Sequence, residues 1–129
     1  MPAPNPYRNV QLDVASPEDS VALLYDGIRR FVDQALLALQ AGKLEQVSYN
    51  VGKAQQILGE LSACLNFEVE ISKNLYQLYD YWSWRLGQGL IKQEPEAFQE
   101  VSAVLADMRE AWAEAARQVR AQRALRAHG

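Results

Sequence analysis

Apolar residues recur every three or four positions in four separate stretches of the chain, and each stretch predicts an amphipathic helix. In the first, Val21, Leu24, Tyr25, Ile28, Phe31, Val32, Ala35, Leu36 and Leu39 form a single stripe. Ser16 is placed as its N-cap, Pro17 as its first helical residue and Asp19 as a capping-box acid, with Gly42 to end it. A second helix is predicted from about Leu44 to Leu65, with Val47, Val51, Ala54, Leu58, Leu61 and Leu65 on one seam. After a short turn near Asn66, a third carries Leu75, Leu78, Tyr79, Trp82, Leu86 and Leu90 and is expected to end near Gly89. The fourth begins at Pro95 and aligns Phe98, Val101, Leu105, Met108, Trp112, Ala115 and Val119. Before the first helix, Pro2, Pro4 and Pro6 are followed by Val10, Leu12 and Val14 in alternation, an extended pattern. The expected fold is therefore all-α, an antiparallel four-helix up-down bundle over residues 16–119. An extended N-terminal arm over 1–15 precedes it, and a basic tail over 120–129 that frays follows it.

Length and composition keep this picture. A chain of 129 residues is one domain's worth and buries about two thirds of the surface it exposes when unfolded. Charge is uneven along it. All sixteen Asp and Glu precede Arg117, whereas Arg117, Arg120, Arg123 and Arg126 cluster at the end. An acidic body lacks the basic stripe that phosphate neutralisation requires, so nucleic acid is not an expected partner. The terminal arginines read as a solvated helix end that complements the dipole. No apolar run approaches the roughly 18 residues of a membrane span, and Met1-Pro2-Ala3-Pro4 has no leader character. A cytoplasmic location and no membrane insertion are the expectations.

Catalytic hardware is missing. The sole histidine is His128, next to the last residue, so a histidine general base or a multi-histidine metal site has no place on the bundle. Gly52 and Gly59 lie inside a helical pattern and no phosphate-cradling loop is present. Cys64, without a partner for an intramolecular disulfide, is expected to be buried and inert. Neither catalytic nor metal-ligating residues are assigned, no cofactor is expected, and the chain reads as a binder rather than an enzyme.

What it could bind with is suggested by residues off the core stripes. Tyr76, Tyr81, Trp84 and Ile91 fall outside the stripe of the third helix, so a partner, a dimer contact or the arm covers them, or the core is wider than the stripe. On the second helix Ser48, Gly52, Gly59 and Ala63 form a strip of small residues, at about 1 kcal/mol for each interior glycine. Such a strip serves either tight packing within the bundle or a shallow groove, with Tyr49 and Ile57 farther round. The groove candidates are Tyr49, Gly52, Ile57, Gly59, Tyr76, Tyr81 and Trp84, suited to an amphipathic helix or an apolar peptide.

These residues, in order, resemble the flagellar secretion chaperone FliS family over about residues 7–119. The resemblance is carried by Tyr7, Ala15-Ser16-Pro17, Leu24-Tyr25-Asp26-Gly27, Lys53-Ala54-Gln55 with Ile57 and Glu60-Leu61, and Leu65-Asn66. It continues through Asn74-Leu75, Leu78-Tyr79-Asp80-Tyr81, Arg85-Leu86, Met108-Arg109 and Ala111-Trp112. Ser20 departs from the usual leucine, and Gly89-Leu90 from the frequent Ala-Asn. The resemblance implies a cytosolic export chaperone that binds the disordered C-terminal segment of flagellin, prevents premature polymerisation and aids delivery to the flagellar type III export apparatus. It further implies contacts with an export gate protein, an anti-sigma factor or a co-chaperone, and an arm whose Tyr7 and Val10 cover part of the client groove when no client is bound. The alternative is a self-associating structural or adaptor bundle, a homodimer for instance, with a different helical client.

Overall fold

The computed structural model describes residues 17–128, and over them the chain forms four helices: α1 (Pro17–Gln40), α2 (Leu44–Ala63), α3 (Ile71–Lys92) and α4 (Pro95–His128). Among the described residues there is no strand. The arm, with Tyr7 and Val10, and the Ser16 cap lie outside the described residues.

Each connection has a local cause. Gly42 adopts a left-handed φ of 72°, which lets Lys43 N–H donate to the Ala38 carbonyl and Gly42 N–H to that of Leu39, so α1 closes in a Schellman motif. After α2, Asn66 Oδ1 accepts the Glu68 N–H at 3.0 Å and turns the chain toward α3. Helix α3 runs past Gly89 to Lys92, because the left-handed turn that ends it is made by Gln93 (φ 55°) and Glu94 N–H reaches back to the Gly89 carbonyl. Pro95 then opens α4, where its missing N–H costs no helical bond.

Cross-helix pairs give the topology. Along α1 and α4, Asp19 meets Arg120, Asp26 meets Arg109 at 3.1 Å and Asp33 accepts from Ser102 at 2.7 Å, so one number falls as the other rises. Tyr81 with Glu100 and Gly89 beside Ala97 give the same antiparallel sense for α3 with α4, and the short connection from Ala63 to Ile71 brings α3 back along α2, with Gln55 against Ser83. Helices α1–α2–α3–α4 close a ring in that order, with α1 packed most extensively and α3 least. This is the expected up-down bundle.

The core is built from the four stripes. Trp82, Tyr25, Tyr79, Phe98, Ile28, Leu58, Leu86 and Leu105 are its largest fully buried side chains. At its centre, diagonal across the bundle, the Tyr25 and Tyr79 hydroxyls share a 2.8 Å hydrogen bond, and both rings pack against Trp82. Burial, more than any other influence, pushes both phenols above their ordinary value of 10.0. Both therefore stay protonated in the fold when an unfolded tyrosine would ionise. Above about pH 10 the unfolded state binds fewer protons than the native one, so stability is full below that pH and declines as pH rises. Denaturant titrations across this range are expected to show that decline, and a variant with Tyr25→Phe and Tyr79→Phe should show less of it.

Gly89 sets the spacing of α3 and α4. A Cβ there would lie 2.8 Å from that of Ala97 and 3.1 Å from the Phe98 ring. Gly89→Ala is expected to destabilise by about 1 to 2 kcal/mol, overpacking outweighing the gain in helix propensity. Thermal unfolding checks it.

Two expectations are corrected here. Cys64 is exposed, because α2 stops at Ala63 and Cys64 sits in its C-cap, past the last turn that faces the core. Ile57 is 5 % exposed and belongs to the core cluster, not to an outer groove, since α2 is enclosed by neighbours on both sides and buries a wider stripe than one seam. The last helix runs to His128, and residues 121–127, in the stretch read as a basic tail, extend it as exposed helix beyond the buried part of the bundle. Ala, Arg, Gln and Leu, which fill that stretch, are good helix formers.

Candidate functional site

The remaining groove candidates divide between two seams of α3. On the side facing α2, a cleft of about 210 Å³ is lined by Gln55, Leu58, Gly59, Ser62, Tyr76, Tyr79, Asp80 and Ser83. Its base is closed by Gln55, whose Nε2 donates to the Ser83 carbonyl at 3.0 Å and lies near the backbone of Gly87. Tyr76 stands at the rim, 47 % exposed, with Phe67 edge-on at 5.7 Å. Phe67 was not among the expected residues; it lies in the α2–α3 connection, where no periodicity marks it.

Gly52 and Gly59, seven residues apart, share one outer stripe of α2. A Cβ at either would meet nothing within 4 Å. The strip is therefore not a close contact between helices of the bundle, and both glycines are exposed, as are Ser48 and Ala63. Tyr49 is 62 % exposed on the same helix, with the Lys53 ammonium 5.5 Å from its ring centre.

On the side facing α4, Tyr81 donates to Glu100 at 2.9 Å, and that hydrogen bond is the main cause of its raised pKa. Arg85 bridges Glu94 at 3.0 Å and Glu100 at 3.3 Å. Trp84, 56 % exposed, tilts over Tyr81 at 5.9 Å and points away from the core between the two seams. The outer surface of α3 thus presents Tyr76, Tyr81, Trp84 and Ile91 uncovered by the described residues. The wider-core reading of these side chains does not hold.

Chemically the surface can bury apolar area and make a few hydrogen bonds. Among the described residues no group of three or more His, Cys, Asp or Glu is placed to hold a metal, and no helix is long and apolar enough to cross a membrane.

A family model for the flagellar protein FliS matches residues 1–119. The chain belongs to the FliS family. It is 34 % identical over 122 residues to the flagellar secretion chaperone FliS of Bacillus subtilis, covering 92 % of each chain. Against the flagellar secretion chaperone FliS of Vibrio cholerae it is 33 % identical over 104 residues, 79 % of this chain and 76 % of that one. Against that of Salmonella typhimurium it is 35 % identical over 101 residues, 76 % of this chain and 75 % of that one.

The residues that carry the FliS resemblance are largely architectural. The tyrosines of Leu24-Tyr25-Asp26-Gly27 and Leu78-Tyr79-Asp80-Tyr81 are the two that bond to each other in the core, although 54 positions apart. Asp26 of the first motif holds Arg109 through Nε and Nη2, a forked contact that raises the guanidinium pKa further. Asp80 of the second opens into the α2–α3 cleft instead.

Proposed function

We propose that this FliS-family chain is a cytoplasmic flagellar export chaperone that binds the disordered C-terminal segment of flagellin, blocks its premature polymerisation and aids its delivery to the type III export apparatus. The segment folds into short amphipathic helices whose apolar sides meet the strip Gly52–Gly59 of α2 and the outer aromatics of α3. The reaction is burial, with no covalent step.

One observation carries the reading: two glycines inside a helix, facing open space, beside exposed tyrosine and tryptophan. Interior glycine costs about 0.5 to 1 kcal/mol relative to alanine, and nothing in the described bundle offsets that cost. A partner backbone that must approach α2 closely does. Ordering a disordered client costs about 2 to 5 kcal/mol, so a large apolar contact is required, and the outer surface of α3 supplies it.

Gly52→Ala with Gly59→Ala is accordingly expected to raise stability by about 1 to 2 kcal/mol while weakening flagellin binding several-fold. Denaturant unfolding and calorimetry on the same preparation check the two signs together. The function itself is tested by titrating the chain with the flagellin C-terminal segment while following circular dichroism. One-to-one binding with a gain in helix content is expected; no binding, with concentration-dependent light scattering by the chain alone, would favour self-association through the same surface.

A further inference from the structure

The two Leu-Tyr-Asp motifs place an aspartate directly after a buried tyrosine, and among the described residues only the first aspartate has a side-chain partner. Asp26 meets Arg109. Asp80 is exposed, lines the α2–α3 cleft and makes no hydrogen bond or ion pair with another described residue. It stands midway along the row Tyr76, Asp80, Trp84, at four-residue spacing on one side of α3, with a half-exposed aromatic ring about 6 Å along the axis in each direction.

We infer that Asp80 is a specificity-determining site for a lysine or arginine side chain of the client. The inference rests on the flagellin reading above. A client that covers this cleft strips water from the carboxylate, and a desolvated, unpaired charge opposes binding unless the client brings a compensating donor. Among the described residues no cation pairs with it. A neutral donor would leave the charge unpaired, whereas an ammonium or guanidinium pairs with Asp80 and lies against the Tyr76 or Trp84 ring. The apolar surface thus gains one charged position that fixes the register of the bound segment, because an apolar strip alone tolerates sliding.

The test is a set of affinity cycles between the intact chain, unmodified or Asp80→Asn, and flagellin C-terminal segments in which each lysine or arginine is replaced in turn by glutamine. Asp80→Asn should weaken the unmodified segment about five- to ten-fold at low salt and less at high salt. One replaced segment should bind the unmodified chain equally weakly and lose nothing further against Asp80→Asn. Unchanged thermal unfolding of Asp80→Asn separates this from loss of fold. If Asp80→Asn binds the unmodified segment as tightly as the parent chain, or weakens every segment equally, the site is not there. If the parent chain fails to bind the unmodified segment at all, the flagellin reading falls and this site falls with it.

Discussion

Replacing Tyr76 and Trp84 together by serine is expected to lower affinity for the flagellin C-terminal segment by about 100-fold or more, with the fold intact. Both rings are about half exposed and neither belongs to the core cluster. Their loss therefore leaves no cavity and little change in stability. In the complex they become large desolvated anchors, and such aromatics concentrate binding energy, at about 2 kcal/mol or more each. Calorimetry gives the affinity and circular dichroism the integrity of the bundle. Undiminished affinity in a folded double variant would move the client to a different face. Tyr81→Phe provides a graded comparison: it removes the hydrogen bond to Glu100 but keeps the ring that Trp84 tilts over, so a small effect is expected.

Tyr79→Ala is expected to have the opposite signature, a large loss of stability. Its ring is 2 % exposed and packs on Tyr25 and Trp82. Truncating a buried aromatic costs about 3 to 5 kcal/mol, and the Tyr25 hydroxyl loses the partner it holds at 2.8 Å. Against the usual 5 to 15 kcal/mol of a domain this is a large fraction, and the melting temperature should fall by at least about 10 °C. Tyr79→Phe keeps the packing and removes only the hydroxyl, so about 1 to 2 kcal/mol is expected. Paired with Tyr25→Phe, it should cost less than the sum of the single changes, because no unpaired buried hydroxyl remains.

The contrast between these two variants shows what could be read from the residues. Helical spacing was enough to separate Tyr79, on the stripe with Leu75 and Trp82, from Tyr76, Tyr81 and Trp84 off it, because a helix in a bundle buries one side. Spacing could not pair Tyr25 with Tyr79, a contact made only when α1 and α3 face each other diagonally across the finished bundle. Gly52 and Gly59 were legible as a strip of small residues, but whether it met a neighbouring helix or open space depends on how α2 is placed among its neighbours, which spacing along one helix does not carry. Ile57 was misplaced because a stripe one seam wide suits a helix with one neighbour, and α2 has α1 on one side and α3 on the other. Cys64 was misplaced by carrying the α2 pattern two residues too far: the helix closes at Ala63, and Cys64 in its C-cap is exposed. Gly89, a departure from the family pattern, proved to be explained by the approach of Ala97 and Phe98, which no local signal announces.

The central claim, that the client docks along the seam of α2 and α3, is tested most directly by mapping backbone amide chemical shifts of the chain as the flagellin C-terminal segment is added. Glycine amides are well separated, so Gly52 and Gly59 report the strip without any substitution. The largest changes are predicted at Gly52, Gly59, Tyr76, Asp80 and Trp84, with Asp26 and Arg109 on the α1–α4 side unmoved. Changes centred on Asp26 and Arg109, with the two glycines silent, would contradict it.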